Sequence, residues 1–325
     1  MCVVSTADRT GIDIAAREAA AAELLRRRQG IWLVTGAAIA WSTAGFFTRV
    51  VEADLWTMLV WRGGLGAVVL FLFLRLRDGA DWLGWLRRSG RPFWTAALLA
   101  ALAMVAFIAA LTETTVAKVS LIYAAIPFAA AMLAFVLIGE RPTRRALCAS
   151  AVAALGILVM IGPSLRTSTA AFDGGFQPGH GLLGDGLAIV MTLLMALLTV
   201  HVRRHRDLPM VAVAAVSCLF SALIALPLAA PLSVLPGDIP WLLLFGPVTT
   251  GIGFVLYTQG AQRLRSAEAA LLSALETPLG PLWVWLLFVE VPDLPTLLGG
   301  GLIFATLIVY VWRDHRVERA RVAQS

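Results

Sequence analysis

The sequence predicts an all-α integral membrane protein in which ten transmembrane helices form two inverted five-helix repeats, with the N and C termini cytoplasmic. Three observations support this fold class. Ten apolar segments follow one another along the 325 residues. Of the 26 Lys and Arg residues, 22 fall on one side of that alternation. The second half of the chain, shifted by 150 residues, matches the first half at many positions.

Each apolar segment has roughly the 17–25 residues that a helix needs to cross the hydrocarbon core of a bilayer. The segments cover residues 31–48, 56–74, 92–112, 119–138, 146–162, 182–202, 210–230, 240–262, 267–289 and 296–312. Hydrophobic residues make up 59% of the chain and charged residues 14%, and the mean hydropathy is +0.84, which is far from soluble proteins. The first segment has no convincing cleavage site, so we expect a retained helix and no cleaved signal peptide.

The basic residues are concentrated in the two tails and in every second connection between segments. The opposite connections hold only Arg49, Lys118 and Arg166, and Arg62 lies inside the second segment. Because cytoplasmic loops are enriched in Lys and Arg, we expect both termini to be cytoplasmic and the chain to span the plasma (bacterial inner) membrane several times. The net charge of +6 then lies at the membrane edge, and the expected partner is the lipid bilayer, with no nucleic acid.

The alternation divides the chain into five parts. Residues 1–29 are expected to form a cytoplasmic N-terminal tail, and residues 314–325 a cytoplasmic C-terminal tail. Residues 30–163 and 182–313 are the two predicted five-helix repeats. Residues 164–181, rich in Gly, Pro, Ser and Thr, are predicted to connect the repeats as an external linker.

A paired motif carries the repeat most clearly: Glu140-Arg141-Pro142 recurs as Glu290-Val291-Pro292. Each half has five segments, an odd number, so equivalent helices should cross the membrane in opposite directions. The connection after Glu140 holds three arginines and the one after Glu290 holds no basic residue, which agrees with that inversion. Inverted repeats are typical of secondary transporters, whose substrate site lies near the midplane between the halves.

The segment from Ser266 to Pro278, followed by an apolar helix that ends at Glu290, resembles the EamA family of the drug/metabolite transporter superfamily. The stretch 117–143 and the pair Trp41-Ser42 carry the same resemblance in the first half. The resemblance covers about residues 30 to 313. It indicates the fold specifically and gives only weak information about the substrate. It implies a transporter that exports amino acids or related small metabolites by alternating access.

Two positions depart from that family's pattern. Val289 stands where the second half commonly has Gly, and Thr277 stands where a Pro is expected, with Pro278 one place later. These departures concern the local bend of the ninth segment. We predict that Pro127, Pro278 and Gly280 act as hinges, because Pro removes a helix hydrogen bond and permits a bend.

Polar and aromatic residues of a lipid-buried helix should face the protein interior, because lipid cannot satisfy them. Several segments carry such residues at spacings of three, four and seven. The candidate substrate-binding residues are Trp41, Ser42, Met104, Phe107, Tyr123, Thr192, Met195, Tyr257, Ser273, Glu276 and Thr277. A polar head held by hydroxyls, with an apolar body against aromatic rings, suits a zwitterionic amino acid. Ordinary helix packing is the alternative for any single Ser or Thr.

Glu276 lies near the middle of the ninth segment, where an ionised carboxylate costs a few kcal/mol on insertion scales. It is therefore a candidate proton carrier or a site for a substrate amine. A structural ion pair with Arg62 is the alternative. A related second function is a multidrug or organic-cation exporter that uses Glu276 as its cation site.

Glu113 and Lys118 flank the tight external turn between the third and fourth segments. A local salt bridge is one interpretation of this pair, and a latch of an outer gate is the other. Gly299-Gly300-Gly301 in the tenth segment favours close helix packing or a subunit contact, so the protein is expected to be a monomer or a homodimer.

Several motifs are absent from the sequence. It has no Gly-x-x-x-x-Gly-Lys phosphate loop, and its four histidines have no metal-ligand spacing, so we expect no ATP-driven step, no cofactor and no metal. An intramembrane enzyme is the hypothesis from another class. It would need a nucleophile with a base, or a cluster of carboxylates, whereas the interior offers one isolated Glu. We therefore expect a transporter and no enzyme.

Overall fold

The computed structural model describes residues 6–140, 143–168, 181–264 and 266–322, and all regular secondary structure in these ranges is helical. The helices are α1 (Thr6–Ser42), α2 (Ala44–Val50), α3 (Leu55–Asp78), α4 (Gly84–Arg88), α5 (Arg91–Glu113), α6 (Val116–Tyr123), α7 (Ile126–Ile138), α8 (Arg144–Ser168), α9 (Leu182–Arg204), α10 (Met210–Ala225), α11 (Ile239–Gly246), α12 (Gly253–Ala261), α13 (Ser266–Ser273), α14 (Glu276–Phe288) and α15 (Leu294–Val322). A π-helical segment, Pro247–Ile252, joins α11 to α12.

Among the described residues, eight helical stretches are long and apolar enough to cross a membrane. They are Ala22–Val50, Leu55–Asp78, Arg91–Glu113, Ala146–Ser164, Leu182–Arg204, Met210–Leu228, Ile239–Ala261 and Glu268–Phe288. The bent pair α6–α7 makes a ninth, and Leu294–Val309 of α15 is a shorter apolar stretch. The architecture is therefore that of a multi-pass membrane protein, and the count of ten spans stays a prediction.

The most extensive helix contacts join one half of the chain to the other. Helix α5 packs on α9, α3 on α10, α8 on α15 and α1 on α12. A shift of 150 residues takes α1 to α9 and α5 to α11–α12. The contact between α1 and α12 is therefore the counterpart of the contact between α5 and α9, as two halves related by a pseudo-two-fold axis require.

The fourth and ninth predicted spans break at the same place. Helices α6 and α7 have the same bounds as α13 and α14 when 150 residues are added, so each span is interrupted by two residues. In the first half the break bends the chain by 43°, and Pro127 lies in the first turn after it, where its missing N–H is tolerated. Pro278 lies in the first turn of α14 after the equivalent break and Gly280 lies in the second turn, and their role as hinges stays a prediction.

Helices α8 and α15 cross at two glycines. A Cβ atom added to Gly156 would lie 2.7 Å from the carbonyl oxygen of Gly299, so the two backbones touch without side chains between them. Gly300 faces the side chain of Leu121, whereas a Cβ on Gly301 would meet nothing within 4 Å. Within the described chain, two of these three consecutive glycines thus serve internal packing.

The bundle has two ends. At the Arg49 end, Arg49 meets Glu290, and Thr114 meets Asp185. At the Arg27 end, Arg27 meets Glu268, and Arg203 meets Glu140. The larger buried apolar cluster lies toward the Arg49 end and includes Phe47, Leu59, Leu111, Ile122 and Phe245. Tight apolar packing therefore fills the bundle on that side.

Candidate functional site

A cavity of about 240 Å³ lies between the two halves of the bundle. Its volume lies just below the range of drug-sized ligand pockets, which is roughly 300–1,000 Å³. The first half contributes Trp41, Ala44, Arg62, Ala100, Ala103, Met104, Phe107 and Tyr123 to its lining. The second half contributes Met191, Met195, Leu198, Met210, Val213, Ala214, Ser217, Cys218, Thr249, Thr250, Phe254 and Glu276. A ligand in this space would contact both halves at once.

Helical periodicity explains why these side chains share one cavity. On α5 the lining residues are Ala100, Ala103, Met104 and Phe107, at spacings of three and four that place them on one face. On α9 the lining residues Met191, Met195 and Leu198 follow the same rule. Most of the wall is therefore apolar, and the methionines supply flexible side chains that fit ligands of different shape.

A second, small space of about 20 Å³ adjoins the cavity on its side toward the Arg49 end. The two share Trp41, Ala44, Phe107, Tyr123 and Glu276. Ser42, Thr277 and Gly280, all predicted from the sequence, line only the small space. The Ser42 hydroxyl accepts a hydrogen bond from Trp283 Nε1 at 2.9 Å and donates one to the Ile39 carbonyl at 2.7 Å, so it is engaged in helix packing.

The structure brings six of the predicted binding residues to the larger cavity: Trp41, Met104, Phe107, Tyr123, Met195 and Glu276. Three others lie outside both linings. The Thr192 hydroxyl donates to the Ala188 carbonyl at 2.9 Å, and the Ser273 hydroxyl donates to the Ala270 carbonyl at 3.0 Å. The Tyr257 ring packs behind Trp41, with ring centroids 5.2 Å apart. Thr192, Ser273 and Tyr257 therefore take part in helix packing and do not line the cavity.

Two charged side chains of opposite sign, Arg62 and Glu276, line the cavity. Arg62 is 5% exposed, and its guanidinium lies 5.4 Å from the centre of the Phe245 ring and contacts Met104 Sδ. Among the described residues, neither Arg62 nor Glu276 forms an ion pair, and they do not pair with each other. The alternative of a structural ion pair between Arg62 and Glu276 is therefore not found among the described residues, where both side chains line the cavity without forming a salt bridge.

An unsatisfied hydroxyl lies in the same lining. Thr250 is buried, and its Oγ1 has no hydrogen-bond partner among the described residues; the same holds for Arg62 Nε. Thr250 belongs to the π-helical segment, and such segments are frequent at functional sites. Buried polar atoms are normally hydrogen-bonded, so two orphaned atoms in one cavity lining call for an explanation.

The Arg49 end of the bundle is closed by a network around Glu290. Arg49 Nε donates to Glu290 Oε2 at 2.8 Å, and the Val116 backbone N–H donates to Oε1 at 2.8 Å. The other guanidinium nitrogens of Arg49 donate to the carbonyl oxygens of Leu111 at 2.6 Å and Thr114 at 3.0 Å. Because Arg49 and Glu290 belong to different halves, this network connects the halves directly beyond the small space.

A second, fully buried network lies beside it. Lys118 Nζ contacts Asp185 Oδ2 at 3.3 Å, with both side chains 1% exposed or less. Asp185 also accepts hydrogen bonds from Ser164 at 2.6 Å and Thr114 at 2.8 Å. The expected local pair between Glu113 and Lys118 is not among the salt bridges of the described residues. The reason is that the Lys118 ammonium points into the bundle, where Asp185 on α9 supplies a buried carboxylate.

The Arg27 end has looser polar contacts. Arg203 and Glu140 are 3.6 Å apart and more than half exposed. Arg27 donates to Glu268 at 2.9 Å and is 52% exposed. Exposed pairs contribute about 0–1 kcal/mol, so this end is held less firmly than the Arg49 end. Helix α9 runs from Asp185 at the Arg49 end to Arg203 at the Arg27 end, so Leu198 of the cavity lining lies toward the Arg27 end, and Met210 begins the helix that follows.

Comparison with known proteins identifies the family. The sequence matches the EamA-like transporter family twice, over residues 28–162 and again over residues 182–312. The chain belongs to the EamA-like transporter family. EamA-like proteins are transporters, so membership supports a membrane transporter and speaks against an enzyme. Because each half carries its own match, the chain contains two EamA repeats, which agrees with the 150-residue correspondence of its helices.

Twenty chains of solved structures are similar to this EamA-like chain, and one of them is a crystal structure of another protein. The two superpose with a TM-score of 0.56 at 21% sequence identity, over 89% of this chain and 98% of the other. At that identity the likeness concerns the fold alone. No curated protein matches the sequence.

In this EamA-like protein, neither Arg62 nor Thr250 is among the binding residues predicted from the sequence, where Arg62 enters only as a possible ion-pair partner of Glu276. The signal was available for Arg62, since it is the one basic residue inside a predicted span. The unsatisfied hydroxyl of Thr250 depends on the π-helical turn, which no sequence pattern predicts. Met191, the neighbour of Thr192, was missed because the rotation of α9 depends on how α9 packs on α5.

Proposed function

We propose that this EamA-like protein is a secondary transporter that exports amino acids or related small metabolites through the cavity between its repeats. The observation that carries the proposal is that cavity itself: both halves line it, its wall is mostly apolar, and Glu276 lies in it. A substrate held there contacts two halves whose relative motion would expose it to either side of the membrane. Neutral amino acids with an apolar side chain match the small volume and the methionine-rich wall.

Alternating access is supported by the unequal ends of the bundle. The Arg49 end is closed by two networks that join the halves, and the Arg27 end carries exposed, looser pairs. The excess of arginine at the Arg27 end favours a cytoplasmic location for that end and for both termini, in a bacterial inner membrane. With that orientation, the cavity is closed toward the outside and lies toward the cytoplasm, as an exporter requires before it loads.

The proposal is tested by counterflow in proteoliposomes. The purified protein is reconstituted into vesicles loaded with unlabelled L-leucine or L-phenylalanine, and uptake of the same labelled amino acid is followed. We expect accumulation above that of protein-free vesicles, and unlabelled neutral amino acids should compete with it. Absence of exchange for a full panel of neutral amino acids would overturn the proposed substrate class.

A second function, export of organic cations with Glu276 as the cation site, has one observation in its favour. Glu276 shares both cavity linings with the rings of Trp41 and Tyr123, and aromatic faces attract cations. Arg62 in the same lining opposes it, because the guanidinium would repel the bound cation and would itself remain without a counter-ion. Exchange of tetraphenylphosphonium in the absence of amino-acid exchange would favour this second function.

A further inference from the structure

We infer that Arg62 and Glu276 are the two poles of the binding site, with Arg62 and Thr250 binding the carboxylate of a small zwitterionic solute and Glu276 binding its ammonium group. The inference rests on the proposed transport function and deepens it by naming which atoms of the substrate each half recognises. Arg62 belongs to the first repeat and Glu276 to the second. The substrate would therefore connect the halves through two charges.

The Arg62 guanidinium lies at the cavity without a counter-ion among the described residues. The residue is 5% exposed, yet its Nε has no hydrogen-bond partner, and no carboxylate of the described residues pairs with it. Its neighbours are an aromatic ring, Phe245, and the thioether of Met104, which are poor substitutes for a counter-ion. A buried, uncompensated charge is strongly unfavourable, so a bound carboxylate is the group that would satisfy it.

The backbone around Arg62 is fixed by close helix contacts. A Cβ atom on the next residue, Gly63, would lie 2.6 Å from the carbonyl oxygen of Cys218 on α10. Gly246 at the end of α11 approaches the Arg62 backbone even more closely. Helix α3 is thus clamped between two helices of the second half at this residue. Only the side chain is left to respond to a ligand, which is the arrangement of a preorganised site.

Thr250 provides a second hydrogen-bonding group on the same side of the cavity. A Cβ atom on Gly66, one helical turn from Arg62, would lie 3.2 Å from Thr250 Cβ, so Thr250 faces α3 one turn from Arg62. Its Oγ1 has no partner among the described residues. A guanidinium and a hydroxyl together can donate to both oxygens of one carboxylate.

Glu276 supplies the opposite pole. Its carboxylate makes no hydrogen bond or ion pair within the described part of the chain, and it lines both the cavity and the small space. Trp41 and Tyr123 line the same two spaces, so an ammonium group near Glu276 would also face aromatic rings. A simple anion would satisfy Arg62 alone and a simple cation Glu276 alone. A solute that carries both charges satisfies both.

Three ligands of similar shape test the roles of Arg62 and Glu276 separately. L-leucine carries both charged groups, L-leucinamide lacks the carboxylate, and 4-methylpentanoate lacks the amine. Their binding is measured on the full-length purified protein by ligand-induced thermal stabilisation, and their flux in proteoliposomes; the same set built on phenylalanine is run in parallel. For Arg62→Gln we expect leucine affinity to fall by about 10- to 100-fold with leucinamide affinity unchanged. For Glu276→Gln we expect 4-methylpentanoate affinity to be retained and leucinamide affinity to fall.

Equal losses of leucine and leucinamide affinity in Arg62→Gln would overturn the inference while leaving the proposed transport function intact. If the wild-type protein binds and moves neither leucine nor phenylalanine, the proposed function itself fails. Thr250→Val, which keeps the shape of the side chain, serves where Arg62→Gln does not fold. It should weaken leucine and 4-methylpentanoate binding and spare leucinamide, and an equal effect on all three probes would again contradict the inference.

Discussion

Val289 combines an unfavourable backbone conformation with an exposed side chain. Its φ of 57° and ψ of 27° are left-handed, and it is 77% exposed. Its counterpart in the first repeat is Gly139, which adopts φ 74° after α7. Helices commonly end in this way with Gly, and a β-branched residue there is strained. The sequence departure noted at this position therefore has a structural consequence.

Val289→Gly is predicted to stabilise the protein by about 1 kcal/mol, because Gly adopts the left-handed region without steric strain. The measurement is the apparent melting temperature in detergent, which should rise. Val291→Gly is the matched control, since Val291 is also exposed, at 65%, and its backbone is not left-handed. A rise of the same size in both variants would show that strain at Val289 is not the cause.

The buried carboxylate of Asp185 is predicted to contribute far more to stability than the exposed carboxylate of Glu140. Asp185→Asn removes the carboxylate from a pair that is about 1% exposed or less, and breaking such a pair typically costs about 3–5 kcal/mol. Glu140→Gln, in the exposed pair with Arg203, should cost less than about 1 kcal/mol. Thermal unfolding of both variants in the same detergent compares them, and a small effect of Asp185→Asn would contradict the buried network.

At the residue scale, the sequence predicted which helix faces point inward better than it predicted contacts. Met104 and Phe107 line the cavity because a spacing of three keeps two side chains on one face of α5. Thr192 was predicted to line the cavity, whereas its neighbour Met191 does. Helical periodicity predicts which residues share a face of α9, but it does not predict the rotation of that helix to within one residue. Lys118 was assigned to Glu113 nearby in sequence, and the preference for Asp185, 67 residues away, arises only from packing.

At the scale of helices, the repeat is clearest in the positions at which two spans are interrupted. The interruptions between α6 and α7 and between α13 and α14 fall at positions 150 residues apart. The motifs Glu140-x-Pro142 and Glu290-x-Pro292 follow them at the same distance, so the sequence correspondence predicted where both spans end. The bends inside these spans were less predictable, because they depend on the helices that pack on either side of each break.

The crossing of α8 and α15 gives a prediction about glycine. Gly299→Ala places a methyl group against the backbone of Gly156, closer than real Cβ atoms come, and should destabilise the protein by about 1–3 kcal/mol. Gly301→Ala is the control in the same helix, because nothing lies within 4 Å of its added Cβ. That control should be neutral or slightly stabilising in a thermal unfolding experiment. Destabilisation by Gly301→Ala alone would instead indicate a contact with another subunit.

The equivalent residues Glu290 and Glu140 lie in ion pairs at opposite ends of the bundle. The Arg49–Glu290 pair is 2.8 Å long and less than 20% exposed, and the Arg203–Glu140 pair is 3.6 Å long and more than half exposed. In an inverted repeat the two halves exchange conformations between states. We therefore expect Glu290→Gln to favour opening of the Arg49 end.

Opening is measured with a single cysteine at position 120, in a background without Cys2, Cys148 and Cys218. An impermeant thiol reagent is added at the Arg49 end, and we expect its labelling rate to increase about tenfold in Glu290→Gln. The estimate follows from a charge-assisted hydrogen bond of about 1.5 kcal/mol. Glu140→Gln is the matched control and should leave the labelling unchanged or lower it. Faster labelling in the Glu140→Gln variant would contradict the assignment of the two ends.

For the whole molecule, composition and charge distribution predicted a multi-pass helical membrane protein, and the family match supports that class. The cavity was not predictable in detail, because its walls come from helices that are far apart in sequence, such as α3 and α10. Its position between the halves followed from the inverted repeat. The separate roles of its two charged residues did not follow from the repeat, since only the packing of the helices shows that Arg62 and Glu276 both line the cavity without forming a salt bridge.

The central claim is that two inverted repeats move reciprocally around one substrate cavity. The most direct test is double electron–electron resonance on the protein in lipid, with spin labels at residues 52 and 291 for the Arg49 end and at residues 143 and 206 for the Arg27 end. With L-leucine added, the account predicts a population in which the first distance lengthens while the second shortens. Distances that lengthen together, or that never change with any amino acid that the protein exchanges, would contradict it.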